Sequence, residues 1–230
     1  MNIIKSIKNL TAKEKALWPG SLFVIFISSV MLSDTDWLSV ITSLIGATAL
    51  IFVGKGDPLG QLITVIFALF YSLVSIKFRY WGEMITYLGM TAPSAVWALV
   101  TWLKNPYSER EVRVSKMTGK KWAGLILSAI AVTFFMCIIL RFFNTPNLLV
   151  STVSITTSFM ASILTVMRCQ YYAAFYAAND IVLIVLWTLA SFSDISYIPM
   201  VLCFVIFLIN DAYGFINWRS MRKKQKIKNS

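Results

Sequence analysis

Eight stretches of the chain are apolar for long enough to cross a lipid bilayer as helices. They fall at about 17–33, 38–54, 59–76, 82–103, 122–143, 147–167, 172–192 and 196–218, and a spanning helix needs roughly 20 such residues. Most connections between them are short and polar, as in Ser33-Asp34-Thr35-Asp36, Gly54-Lys55-Gly56-Asp57-Pro58 and Lys77-Phe78-Arg79-Tyr80, which is what helical hairpins require. One connection is longer. Residues 104–121 hold Pro106, Gly119 and most of the interior charge, and they divide the chain into two halves.

The halves align at an offset of 116 residues. Trp102 then falls on Trp218, Trp97 on Tyr213, and Tyr71-Ser72-Leu73 on Trp187-Thr188-Leu189. In this register the second to fourth helices match the sixth to eighth, and the fifth is a linker. The predicted fold is an all-α polytopic membrane protein of about eight transmembrane helices. It divides into a basic N-terminus with an extra first helix (1–34), a first three-helix repeat (35–104), a basic loop and linker helix (105–146), a second three-helix repeat (147–218) and a basic tail (219–230). A single linker helix brings the second triplet in with the orientation of the first. The repeats are then parallel, a plan found in transporters with substrate near the bilayer midplane.

Composition excludes the soluble alternatives. Hydrophobic residues make up 58% of the chain and charged residues only 13%, against about 25% charged in an ordinary globular domain. Aromatic content and scarce charge also exclude disorder. The net charge of +11 would suggest nucleic acid in a soluble protein. Here the basic residues sort by side: Lys77, Arg79 and Arg141 fall on one face of the membrane and all other Lys and Arg on the face of the N-terminus. The positive-inside rule places both termini in the cytoplasm. The first apolar stretch follows a basic segment like a signal peptide, but no small-residue cleavage site follows it, so it reads as a retained helix. The basic tail reads as a topology anchor, with a lipid-specific or nucleic-acid role as the alternative; no nucleic-acid partner is expected.

Histidine is absent and the three cysteines (Cys137, Cys169, Cys203) are far apart. No zinc site, disulfide framework, metal or cofactor is indicated. Gly54 to Gly60 is glycine-rich but lacks the GK[ST] ending of a phosphate loop, so the chain is not expected to use ATP.

Carboxyl groups inside a membrane carry a cost of a few kcal/mol, about 2.5–3.5 at a helix centre, and so ask for a reason. Glu83, Asp180 and Asp211 are the three near apolar helix. Two of them follow an asparagine, giving Asn179-Asp180 and Asn210-Asp211 at similar depth on antiparallel neighbours. Tyr171, Tyr172, Phe175 and Tyr176 precede the first pair; Tyr213, Phe215 and Trp218 follow the second. Amides, carboxylates and rings at one depth suit a flat aromatic heterocycle with a hydroxyl-rich part, and a cationic one gains attraction to the ring faces as well. The competing reading is that they bind helix to helix. Candidate substrate contacts are Asn179, Asp180, Asn210, Asp211, Tyr176, Trp187 and Tyr213 from the second half, with Gln61, Tyr87 and Trp97 from the first; Ser94 is a weaker candidate. Pro93 predicts a kink with freed carbonyls beside a cavity.

The run Tyr176 to Trp187, the run Phe204 to Trp218 and Tyr80-Trp81-Gly82-Glu83 resemble the PnuC family of bacterial vitamin transporters, over roughly residues 35–220. The resemblance implies uptake of nicotinamide riboside by facilitated diffusion across the cell membrane of a bacterium, with trapping by phosphorylation in the cytoplasm. It further implies a SWEET-like three-one-three helix plan and a homotrimer. Relatives in that family carry thiamine or deoxyribonucleosides, which keeps those ligands open. Many members have paired tryptophans where this chain has Tyr172, Phe175 and Tyr176. A membrane enzyme, such as a lipid-modifying transferase, would need a metal-binding carboxylate cluster or a nucleophile–base pair, and neither is present in the sequence. A membrane scaffold is the third reading.

Overall fold

The turn that joins the second and third apolar stretches shows how local sequence sets the helix ends. Gly56 takes the left-handed conformation (φ 78°) that favours glycine. Its N–H reaches Val53 O at 2.9 Å, and the N–H of Asp57 reaches Phe52 O at 2.9 Å, closing the helix Trp37–Lys55 (α3). The Asp57 carboxylate then accepts from Leu59 N at 3.0 Å and Pro58 stands in the first turn of the next helix, Pro58–Lys77 (α4).

The computed structural model describes residues 3–31, 36–78, 80–145 and 147–227. Among them are eight helices long and apolar enough to cross a membrane. A short stub Ile3–Lys8 (α1) precedes the N-terminal helix Ala12–Met31 (α2), which opens with a reciprocal cap: Thr11 N donates to Glu14 Oε2 at 2.7 Å and Glu14 N to Thr11 Oγ1 at 3.3 Å. After α3 and α4 comes a helix in two parts, Trp81–Thr86 (α5) and Ala92–Lys104 (α6), joined by a π-turn at Tyr87–Thr91. Then follow Gly119–Phe142 (α7), Leu148–Val166 (α8), Tyr172–Ser191 (α9) and Ile198–Ile227 (α10). Asp34 with its neighbours in the first connection, Arg79, and Lys228 in the tail lie outside the described residues.

Two details differ from the sequence reading. The expected tail from 219 onward is helical, because α10 runs unbroken to Ile227. The basic loop before α7 holds a small antiparallel ladder, Pro106–Ser108 (β1) with Glu111–Val112 (β2). That ladder is fixed by its surroundings, with Val112 N bonded to Gly56 O at 3.0 Å and Val114 N to Gln225 Oε1 at 2.8 Å.

Within each triplet the middle helix holds the other two: α4 packs on α3 and α6, and α9 on α8 and α10. Between triplets, α10 packs on α3 and α6 packs on α8, while α7 lies on α8 and α2 on α3 and α10. The contacts between triplets end in a reciprocal pair of bonds. Trp102 Nε1 on α6 donates to Thr165 O on α8 at 2.9 Å, and Trp218 Nε1 on α10 donates to Val53 O on α3 at 3.0 Å. The two indoles touch, with ring centroids 5.3 Å apart, and both are wholly buried. A single phenolic ring, Tyr172, packs on Trp218 at 4.8 Å.

Candidate functional site

A cavity lies between the two triplets, on the core side of the tryptophan pair. The room it leaves for water-sized groups is about 60 Å³, well below the roughly 300–1,000 Å³ of an open small-molecule site, so the walls stand close together in this state. From the first triplet its wall includes Gly46 and Val53 on α3, Gln61, Thr64 and Phe67 on α4, and Tyr87 and Thr91 on the π-turn. From the second come Ser158 and Thr165 on α8, Tyr176, Asn179 and Asp180 on α9, and Phe204, Phe207 and Asp211 on α10.

Local structure explains how these side chains arrive. Pro93 has no N–H to close an ordinary helical turn, and the chain widens just before it, so that Ala92 N bonds Tyr87 O five residues back. The wide turn carries Tyr87 and Thr91 onto the wall, and the Thr91 hydroxyl is buried there without a partner among the described residues. Gly46 matters for another reason. A Cβ at this position would stand 2.5 Å from Phe207 Cζ and 2.8 Å from Phe67 Cε2, so a bare backbone on α3 is what lets both rings face the cavity.

The polar groups are pre-oriented. Ser154 Oγ and Thr157 Oγ1 both donate to Asn179 Oδ1, each at 3.0 Å. With its carbonyl oxygen engaged twice, the amide presents its NH₂ as a donor. Asp180 Oδ2 is buried without a hydrogen-bond partner among the described residues, and the Asp211 carboxyl stands on the same wall. Tyr176 Oη is 3.2 Å from Ser162 Oγ. Among the described residues, no lysine or arginine is on the wall.

Over residues 36–220 the chain matches the family model described as nicotinamide mononucleotide transporter. The chain belongs to that family. Among similar proteins, the nicotinamide riboside transporter PnuC of Neisseria mucosa is 26% identical over 195 residues, covering 82% of this chain and 74% of that one. The protein of the same name from Haemophilus influenzae is 22% identical over 213 residues, covering 91% of each. A solved structure, the crystal structure of the vitamin B3 transporter PnuC, superposes with a TM-score of 0.83 at 25% identity, covering 94% of both chains. The family match begins at the start of α3 and so leaves α1 and α2 outside.

Of the ten candidate contacts in this member of the nicotinamide mononucleotide transporter family, six stand together on the cavity wall: Gln61, Tyr87, Tyr176, Asn179, Asp180 and Asp211. Four stand elsewhere. Asn210, one step along α10 from Asp211, turns to the N-terminal helix and donates to Ser21 Oγ at 3.0 Å and to Ile206 O at 2.8 Å. Tyr213 also turns to that helix, donating from Oη to Glu14 Oε1 at 2.8 Å. Trp187 is buried beyond the cavity against Tyr80 and Tyr197, with centroids at 4.9 and 5.5 Å. Trp97 is 61% exposed on the outer surface of α6, as is Ser94 at least in part. Glu83 is buried in α5 with Oε2 unpartnered, away from the cavity wall. The residues missing from the sequence reading are Thr64, Thr91, Ser158 and Thr165 and the rings of Phe67, Phe204 and Phe207. The Pro93 signal pointed to the stretch that holds Thr91.

Proposed function

We propose that this chain carries nicotinamide riboside across the cell membrane, holding it in the cavity between the triplets. One observation carries the choice of ligand within the family: the wall offers two carboxyl groups, a donor-oriented amide and aromatic rings, but no cation. A pyridinium ring with a positive charge is favoured by Asp180 and Asp211 and by the faces of Tyr87 and Tyr176. Its carboxamide oxygen accepts from Asn179 Nδ2, and ribose hydroxyls donate to the two carboxyls. A mononucleotide would bring a phosphate into the same space. Phosphate sites use Arg, Lys or a cluster of backbone N–H groups, and here the phosphate would meet two acids.

Transport in this reading is passive. The triplets rock about the central site, and each exposes it to one side in turn. The chain performs no chemistry on its ligand, and phosphorylation on the cytoplasmic side by another protein keeps the flow inward. The end that gathers the basic loops faces the cytoplasm, with both termini there. The protein assembles as a homotrimer, and the exposed apolar face of α7, with Leu127, Ile130, Phe134 and Phe135, offers surface to neighbouring subunits or lipid.

Purified protein in liposomes tests this reading. Labelled nicotinamide riboside should equilibrate across the membrane without ATP and at a rate independent of an imposed proton gradient. Competition by excess unlabelled thiamine or deoxyribonucleoside stronger than that by nicotinamide riboside would keep the carrier and replace the ligand. Accumulation above equilibrium driven by a proton gradient would overturn the passive mechanism.

A further inference from the structure

At the basic end of the molecule, Arg219, Arg222, Lys223 and Lys226 of α10 and Gln170 of the α8–α9 turn enclose a cleft outside the transport path. The four cations recur at the i, i+3, i+4 and i+7 positions of one helix, and therefore on one face. Among the described residues, no carboxyl group lines the cleft. Glu111, the acid that reaches this part of α10, is held by Gln225 Nε2 at 2.9 Å. Like charges at these spacings destabilise a helix, yet α10 continues through all of them to Ile227. Nearby, the Arg168 guanidinium sits below its ordinary range, first through partial burial and then through repulsion from Arg113, and its Nε is buried without an acceptor. Basic residues that served only to orient the chain would have no need to converge on a concave site.

The depth of the cleft indicates what fills it. Directly before it along the chain lies an aromatic belt: Trp122 to Tyr171 at 5.9 Å, Tyr171 to Phe215 at 6.4 Å, and the Arg219 guanidinium 5.5 Å from the Phe215 ring. Trp and Tyr collect at the boundary between hydrocarbon and headgroups. The cleft is then at headgroup level, and Ile216, 68% exposed on the same helix, faces the neighbouring acyl region. A phosphate free in water would gain nothing from those rings; a lipid would use both parts.

We propose that this cleft binds the phosphate-bearing headgroup of an anionic phospholipid. The guanidinium of Arg222 meets two phosphate oxygens at once, the lysines add point charge, and the Gln170 amide donates to the remaining headgroup oxygens. Binding of this kind is independent of the vitamin that the cavity carries.

The test uses the full chain in detergent, with thermal stability and native mass spectrometry read against added lipid. Phosphatidylglycerol should raise Tm and remain bound, whereas phosphatidylcholine should do neither. Replacing Arg222, Lys223 and Lys226 with Gln should weaken the apparent affinity for phosphatidylglycerol at least tenfold. Replacing Lys116, Lys120 and Lys121 with Gln removes the same charge elsewhere at this end and should leave the affinity within about twofold. If the triple variant does not fold, Arg222→Gln alone should still reduce the bound lipid seen by mass spectrometry. Equal losses in the two triple variants would show diffuse attraction and overturn the proposal. So would a Tm rise of the same size from inorganic phosphate, which would make the site one for a free anion.

Discussion

The two ends of the molecule close the cavity in different ways. At the basic end, the buried donors of the closing residues are used. Trp102 and Trp218 bond the carbonyls of Thr165 and Val53 on opposite triplets. Glu14 of the N-terminal helix receives Tyr213 Oη at 2.8 Å and Thr11 N at 2.7 Å, and pairs with Lys55 at 3.4 Å, so it ties α3 and α10 together. Tyr172 Oη and Arg168 Nε are the exceptions, buried without a partner among the described residues. At the other end, Tyr80, Trp187 and Tyr197 pack ring against ring; Trp187 Nε1 has only the Tyr71 hydroxyl near it, without a well-formed bond, and Glu83 Oε2 is buried and unpartnered among the described residues. A buried polar atom without a partner costs about 1–3 kcal/mol. The two ends therefore differ in how well their buried polar atoms are satisfied.

The largest effect should come from Glu14→Ala. It leaves Tyr213 Oη and Thr11 N without their acceptor and Lys55 with Asn9 O alone, for an expected loss of about 3 kcal/mol. A thermal melt reads it, and a wild-type Tm would mean that the N-terminal helix does not hold the basic end. Next is Trp218→Phe, which keeps the ring contact but removes the bond between the triplets; Val53 O retains Gly56 N at 2.9 Å, so the loss is that of one hydrogen bond, about 0.5–1.5 kcal/mol. Trp102→Phe should act alike through Thr165, and because the rings touch, the double variant should not be additive. The matching change at the other end, Trp187→Phe, removes an N–H that makes no well-formed bond, with only the Tyr71 hydroxyl near it, so it should cost less than either. If Trp187→Phe proves more harmful than Trp218→Phe, the contrast between the ends is lost.

The smallest effect lies at the surface of the end away from the basic loops. Burial alone would raise the Asp36 carboxyl, but its bonds to Lys77 at 2.8 Å and to Ser39 at 2.6 Å bring it below the ordinary range. A carboxyl lowered by folding adds stability above its unfolded value of about 3.9 and loses it as pH falls through the lowered folded value. Both partners are partly exposed, so Asp36→Asn should cost at most about 1 kcal/mol near neutral pH and less in acid. A melt series from neutral to acid pH, wild type against Asp36→Asn, reads the difference.

The sequence exposes some of these features because physics leaves few alternatives. Bilayer thickness sets the length of an apolar run, which is why eight helices could be counted; Gly56, Asp57 and Pro58 mark a turn by backbone chemistry alone. Asp180 and Asp211 stood out because an acid in hydrocarbon needs a purpose. Which way a residue faces is a different matter. Consecutive positions on a helix point about 100° apart, so Asp211 meets the cavity while Asn210 meets the N-terminal helix. Trp97 had the same chemistry as a wall residue and lies on the outside. Thr91 and Ser158, small polar residues among many in these helices, acquire a role only through the rotation of α8 and the π-turn. Phe67 and Phe207 are likewise indistinguishable from core phenylalanines until Gly46 makes room for them.

The most direct test of the central claim is thermal stabilisation of the purified protein by nicotinamide riboside and by nicotinamide mononucleotide, in wild type and in Asn179→Ala. A ligand that binds only the folded state raises stability by RT ln(1 + [L]/Kd), about 2.7 kcal/mol at 100 times Kd. The account predicts a dose-dependent rise in Tm with the riboside, little or none with the mononucleotide, and loss of the riboside response in Asn179→Ala. An equal or larger rise with the mononucleotide would contradict it, because the cavity between Asp180 and Asp211 would then be accepting a phosphate.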